Sequence, residues 1–245
     1  MSPDQRDAAR RGLKGLIPVG RPFLDYILSG LADAGVRRAC VVIAPGPSDI
    51  QVHYDRTTPQ RLTLSFAVQS QARGTADAVL AAEAFTSGDS FLTVNADNLY
   101  PRSALEALRA LPRAGLVGFR SSALTRFGNV PPDRIGAFAL IERSRGGELV
   151  RIVEKPDPAQ AAAFGSDPLV SMNAWLLPPC IFASCRAITP SPRNELELQD
   201  AVRHSIESAG ERYQVIESNE GVLDLSTPAD IPEVARRVRD LEVSL

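Results

Sequence analysis

The chain has 245 residues, 44% hydrophobic and 23% charged, with a net charge of −2. That length supports one sizeable core, and the balanced charge offers no footprint for nucleic acid or an anionic membrane. No apolar stretch reaches membrane-spanning length, no signal-peptide core stands at the N-terminus, and three cysteines (Cys40, Cys180, Cys185) point to a reducing cytoplasm rather than a disulfide scaffold.

In chain order, Arg21-Pro22-Phe23 leads into a helix through Leu24, Ile27, Leu28, Leu31 and Ala32, stopped by Gly35. Ala39 to Ala44 reads as a buried strand followed by a loop with two prolines, and Leu62 to Val68 as a second strand. A helix opens at Gly74-Thr75 and runs to Phe85. Phe91 to Ala96 is a third apolar strand that stops on Asp97 and Asn98. An acid there stands at the carboxyl edge of a sheet, where open α/β folds bind ligands. It is placed either to hold Mg²⁺ or to cap the helix from Ser103 to Leu111. Gly115 to Arg120 is a further strand. The alternation argues for a layered, mostly parallel sheet.

The second half changes style. Gly136 to Glu142 and Leu149 to Glu154 flank a turn with Gly146-Gly147, a hairpin signal. Val170 to Leu177 follows as a strand, Leu196 to Ser208 as a helix, and Pro228 to Leu241 as a closing amphipathic helix. No repeat or linker divides the chain, so residues 1–245 read as a single domain. With His53 and His204 both in polar surroundings, neither a histidine zinc site nor a Ser-His-Asp triad is expected.

Seven segments, in order, resemble one family. Leu13-Lys14-Gly15-Leu16-Ile17-Pro18-Val19 is followed by Gln69 with Gly74-Thr75-Ala76, then Ala96-Asp97-Asn98 and Val153-Glu154-Lys155-Pro156. Next come Met172-Asn173-Ala174-Trp175, Asn194 to Ala201 and Leu223 to Asp230. Together they are similar to the lysine segment, Q-x4-G-T-A element, G-D-N turn, E-K-P motif, N-A-G-W segment, E-x-Q-L-x-D-A helix start and D-x-G-T-P ending of the sugar-phosphate nucleotidyltransferases. The resemblance implies a Rossmann-like three-layer α/β/α fold with a small β-hairpin subregion that binds sugar. It also implies a Mg²⁺-dependent enzyme joining a nucleoside triphosphate to a sugar 1-phosphate, with release of pyrophosphate.

By that resemblance Asp97 and Asp224 share one Mg²⁺, Lys14 meets the triphosphate, and Lys155 holds the sugar phosphate. Gln69, Gly74 and Thr75 receive the nucleotide, while Gly136, Glu154 and Asn173 read the sugar. Lysine suits phosphate as a compact point charge, and an amide both donates and accepts toward a base edge. Plainer roles stay open: Asp224 as a turn acid, Lys14 as a surface residue, Gly74 as a helix-start turn, Glu154 as a polar hairpin end. Two other functions stay open as well, a non-catalytic nucleotide-sugar-binding protein on the same scaffold and a nucleotide-sugar glycosyltransferase.

One departure stands out. Family members begin with a strand and a loop like A-A-G-x-G-T-R, whereas this sequence begins with the polar Met1 to Gly12. The expectation is that the natural protein extends upstream, and that the chain as written is catalytically weak. Without such a strand, the edges at Ala39 and Phe91 are expected to be unpaired.

Overall fold

A computed structural model describes Gln5 and residues 14–245; the rest of the polar N-terminal stretch, and Leu13, lie outside the described residues. The strands are β1 (Arg38–Ile43), β2 (Thr63–Val68), β3 (Phe91–Thr93), β4 (Asn98–Leu99) and β5 (Gly115–Arg120). They continue with β6 (Ala139–Arg143), β7 (Leu149–Val153), β8 (Leu169–Leu177), β9 (Gln214–Ser218) and β10 (Leu223–Asp224). Helices pack on both faces, giving the three-layer α/β arrangement. Alternate residues of β8 mark the two layers. Val170, Met172, Ala174 and Leu176 join Phe23, Leu28 and Phe119 in one apolar cluster. Leu169, Trp175 and Leu177 join Leu116, Ile181 and Tyr213 in the other. This is the period-two pattern of a strand covered on both sides.

The main sheet is mixed, where the sequence suggested mostly parallel pairing. Its order is β7-β6-β8-β5-β9, with β3 also on β8. β5 and β9 are parallel, but β8 runs antiparallel to β3, β5 and β6. The cause is the hairpin: β6 and β7 turn back after five intervening residues, and β8 returns against β6. The hairpin itself forms where the glycine pair placed it. Among the elements not read from the sequence, helix Asp49–Thr57 begins directly after the two-proline loop, capped by the Ser48 hydroxyl, which accepts from Gln51 N at 3.3 Å. The helix from Thr75 is broken at Ala82, and the third strand ends at Thr93.

That early end has a structural setting. Among the described residues β1 pairs with β2 alone and β3 with β8 alone, so the sheet is split. Arg38, at the amino end of β1, donates to the Phe85 carbonyl at 3.1 Å and lies over its ring, just ahead of β3, so the two open edges start from the same end. Between them lies a largely apolar cavity of about 710 Å³ lined by Val41, Leu92 and Val94, with Leu28 and Val79 from the covering helices. Residues of β3 are consequently half-exposed rather than buried. Asn95, Ala96 and Asn173 stand among its walls.

Unpaired edges exchange their amides through small local openings, whereas a strand paired on both sides opens with the whole fold. In hydrogen–deuterium exchange, amides of β5 are expected to outlast those of β1 and β3 by roughly tenfold or more. Equal protection of the three strands contradicts the split sheet.

Candidate active site

Strand ends place the polar residues. Gln69 follows β2, Asn95 to Asp97 follow β3, and Glu154 with Lys155 follow β7, so three turns deliver side chains at carboxyl edges. Lys14, in a short helical turn at Lys14–Leu16, reaches Asp97: its Nζ lies 2.8 Å from Oδ2. Residues 83 positions apart thus meet.

Asp224 lies beside this pair through the backbone. It is opposite Asn98 in the β4–β10 ladder, and Leu225 N donates to the Asp97 carbonyl at 2.8 Å. Its carboxylate is 1% exposed and accepts hydrogen bonds at both oxygens. Asn98 Nδ2 donates to Oδ1 at 2.7 Å, Ser226 Oγ to the same oxygen at 2.5 Å, and the Arg134 guanidinium to Oδ2. Arg134 also donates to Asp230 Oδ1 at 2.6 Å, which makes it a bridge between two buried acids. Around the same residue, the Asn129 side chain pairs with both backbone groups of Asp224. Asp97, in the turn before β4, and Asp224, on β10, both offer the hard oxygen donors that a cation bound to phosphate oxygens prefers. Both are neutralised by organic cations, so a metal ion at Asp224 has to take the place of Arg134. Among the described residues no cluster of three or more acidic, His or Cys side chains could hold a metal.

The second group surrounds Asn173. It sits in the middle of β8 with φ +57°, a left-handed conformation that Asn tolerates better than most residues. Here the register slips: Leu116 pairs with Trp175 and Gly118 with Ser171, leaving Met172 to Ala174 as a bulge. The opposite edge of β8 changes partner at the same place, from β6 at residues 169–171 to β3 at residues 175–177. Asn173 Oδ1 accepts from Gln199 Nε2 at 3.0 Å and Trp175 Nε1 at 3.4 Å, which leaves its amide nitrogen for a ligand. Tyr100 ties the two groups together: its hydroxyl donates to the Met172 carbonyl at 2.5 Å and accepts from Asn95 N at 3.2 Å.

Gln69 donates through Nε2 to the Gly74 carbonyl and to Asp77. The bareness of Gly74 (φ +115°) is needed by the chain itself, since a Cβ there would stand 2.5 Å from the Leu196 carbonyl oxygen. Thr75 Oγ1 accepts from Leu198 N at 2.9 Å. Gly136 is exposed in the turn that carries Arg134, with open space around it.

Sequence reasoning passed over the joint of this half. Arg193 Nη2 lies 2.6 Å from Glu197 and 3.7 Å from both Glu154 and Glu195. Leu196 packs on Gly74, and Gln199 holds Asn173, so residues 193–199 collect the second group. The Asn194 to Ala201 motif marked the place; the arginine before it carried no pattern of its own.

Burial, with Glu197 nearby, pushes the Glu154 carboxyl above its ordinary 4.5, against the pull of Arg193 and Lys155. The folded state therefore keeps this proton longer than the unfolded chain. Stability from this group is complete below pH 4.5 and falls as pH rises through the raised value. Glu154→Gln should flatten that fall, so its melting temperature gains on the wild type as pH rises from 4 to 7, while parallel curves would contradict the shift.

Residues 9–240 match a family model described as nucleotidyl transferase. A UTP–glucose-1-phosphate uridylyltransferase of Haloferax volcanii is 25% identical over 228 residues, which cover 93% of this chain and 88% of that protein. A glucose-1-phosphate thymidylyltransferase of Streptomyces griseus is 28% identical over 204 residues, 83% of this chain and 54% of that one. The bifunctional protein GlmU of Methanococcus vannielii is 27% identical over 219 residues, 89% and 48% of the two chains. The chain thus spans most of the first relative and about half of the other two. Among solved structures, a UDP-glucose pyrophosphorylase complexed with UDP-glucose shares the fold, with a TM-score of 0.71 at 18% identity over 94% of this chain and 91% of that one. Among the described residues, no helix is long and apolar enough to cross a membrane.

Proposed function

The chain belongs to the nucleotidyl transferase family, and on that footing we propose that it joins a nucleoside triphosphate to a sugar 1-phosphate, giving a nucleotide sugar and pyrophosphate. The observation that carries this reading is the convergence of Lys14, Asp97 and Asp224, three distant positions, around the short β4–β10 ladder. The uridylyl and thymidylyl relatives support it.

An oxygen of the sugar phosphate attacks the α-phosphorus, the bond to the bridging oxygen breaks, and pyrophosphate departs with that electron pair. The substrate supplies its own nucleophile, so positioning and charge neutralisation are what the protein contributes. Asp97 and Asp224 would hold Mg²⁺, which when bound polarises phosphate oxygens and offsets their charge. Lys14, already at the carboxylate of Asp97, brings an ammonium to the triphosphate. Lys155, exposed and at φ +45° directly after Glu154, brings another to the sugar phosphate. The free amide nitrogen of Asn173 donates to a sugar hydroxyl, Glu154 accepts from one, and the exposed backbone at Gly136 offers a further contact. Gln69 and the Gly74–Thr75 turn receive the base. The site acts in a reducing cytoplasm, as the cysteine usage suggested.

Pyrophosphate release should be assayed with a panel of nucleoside triphosphates against sugar 1-phosphates, with and without magnesium. The expected result is magnesium-dependent release with at least one pair, and a loss of about a hundredfold or more in Asp97→Asn and in Lys14→Ala. Release that survives chelation and both substitutions overturns the proposal. A folded protein that binds a nucleotide sugar but turns over no pair favours the non-catalytic reading.

A further inference from the structure

The amide of Gln69 is not free to present either end. Its Nε2 lies 3.0 Å from Asp77 Oδ2 and 3.1 Å from the Gly74 carbonyl oxygen. A backbone carbonyl only accepts hydrogen bonds, and so does an ionised carboxylate. The group that faces both must be the NH₂, whichever way an amide is first drawn. Asp77 is itself fixed, being 7% exposed, in the first turn of helix Thr75–Ala81, with its other oxygen 2.6 Å from Arg73 Nη2. What Gln69 has left for a ligand is Oε1, an acceptor and nothing else.

We propose that Asp77 is a positioning residue that sets the polarity of the base site, by turning the carbonyl end of Gln69 toward the base. The inference rests on the reading above that Gln69 meets the base. An acceptor at that position pairs with a ring imide N–H, the group carried by uracil, thymine and guanine. It opposes the bare ring nitrogen that cytosine and adenine present at the equivalent place. The substrate class is thus a nucleotide whose base has an imide edge, and selection among bases comes from a residue that touches no base.

Asn at position 77 separates positioning from mere support. It has nearly the same shape as Asp, and Arg73 will claim its oxygen. Its NH₂ then faces Gln69, which loses one of the two acceptors that held its own NH₂ inward and keeps only the Gly74 carbonyl. Binding of UMP and CMP should be measured by calorimetry on the wild type, Asp77→Asn and Gln69→Ala, with folding checked by circular dichroism. The wild type should prefer UMP by about tenfold or more, the size of one buried polar mismatch, and should lose a similar factor for UMP methylated at N3. In Asp77→Asn the UMP-to-CMP ratio should collapse toward one. Weakening of both nucleotides by the same factor, with the ratio kept, would show a structural role alone and overturn the proposal. A wild type indifferent to N3 methylation overturns it too, and this arm needs no variant to fold. A ratio unchanged in Gln69→Ala rejects the base-reading role itself and the proposal with it. Pyrophosphate release would remain the separate test of the reaction.

Discussion

A carboxylate with 1% of its surface exposed has to be satisfied from within, and Asp224 is where this fold meets that demand. Three side chains from separate parts of the sequence, Asn98, Arg134 and Ser226, donate to it. Removing one partner of a buried charge typically destabilises by about 3–5 kcal/mol, so these segments are strongly coupled. Arg134 extends the network to Asp230, whose other oxygen closes a capping box on Thr227 at the start of the last helical segment. The short β4–β10 ladder then brings Asp97 alongside, and Lys14 after it. The arrangement seen as an active site is, in energetic terms, the solution to one buried charge.

The other half depends on an irregularity. A strand of nine residues paired evenly along both edges would leave no room for a ligand. β8 escapes this by a bulge at Met172 to Ala174, where its free edge also passes from β6 to β3. Asn173, in a left-handed conformation inside the bulge, keeps an amide nitrogen available at that gap. Tyr100 links the bulge to Asn95 and Asn98, so the turn after β3 and the bulge of β8 share one buried hydroxyl.

The parts legible in sequence were those written in local pattern. The apolar run of β5 and the glycine-marked hairpin appear with nearly the boundaries expected. The two open edges expected at β1 and β3 are present among the described residues, where they flank a cavity. What escaped was written in long-range contact. Arg134 and Arg193 look like surface arginines until the acids they serve are brought to them. Gly74 read as a helix start, yet what demands a missing Cβ is the Leu196 backbone, over a hundred positions later. The direction of β8 escaped for the same reason, since a fully buried strand carries the same apolar run in either orientation.

Whether Asp97 and Asp224 accept a common cation is the point on which the catalytic account turns, because the Arg134 guanidinium is paired with the Asp224 carboxylate. The direct measurement is a crystal structure grown with Mn²⁺ and a non-hydrolysable nucleoside triphosphate, with anomalous scattering used to locate the metal. The account predicts one manganese peak coordinated by an oxygen of each acid and by the phosphates, with the Arg134 guanidinium moved off Asp224. Manganese bound elsewhere, with the Arg134–Asp224 pair intact beneath a seated nucleotide, would contradict it.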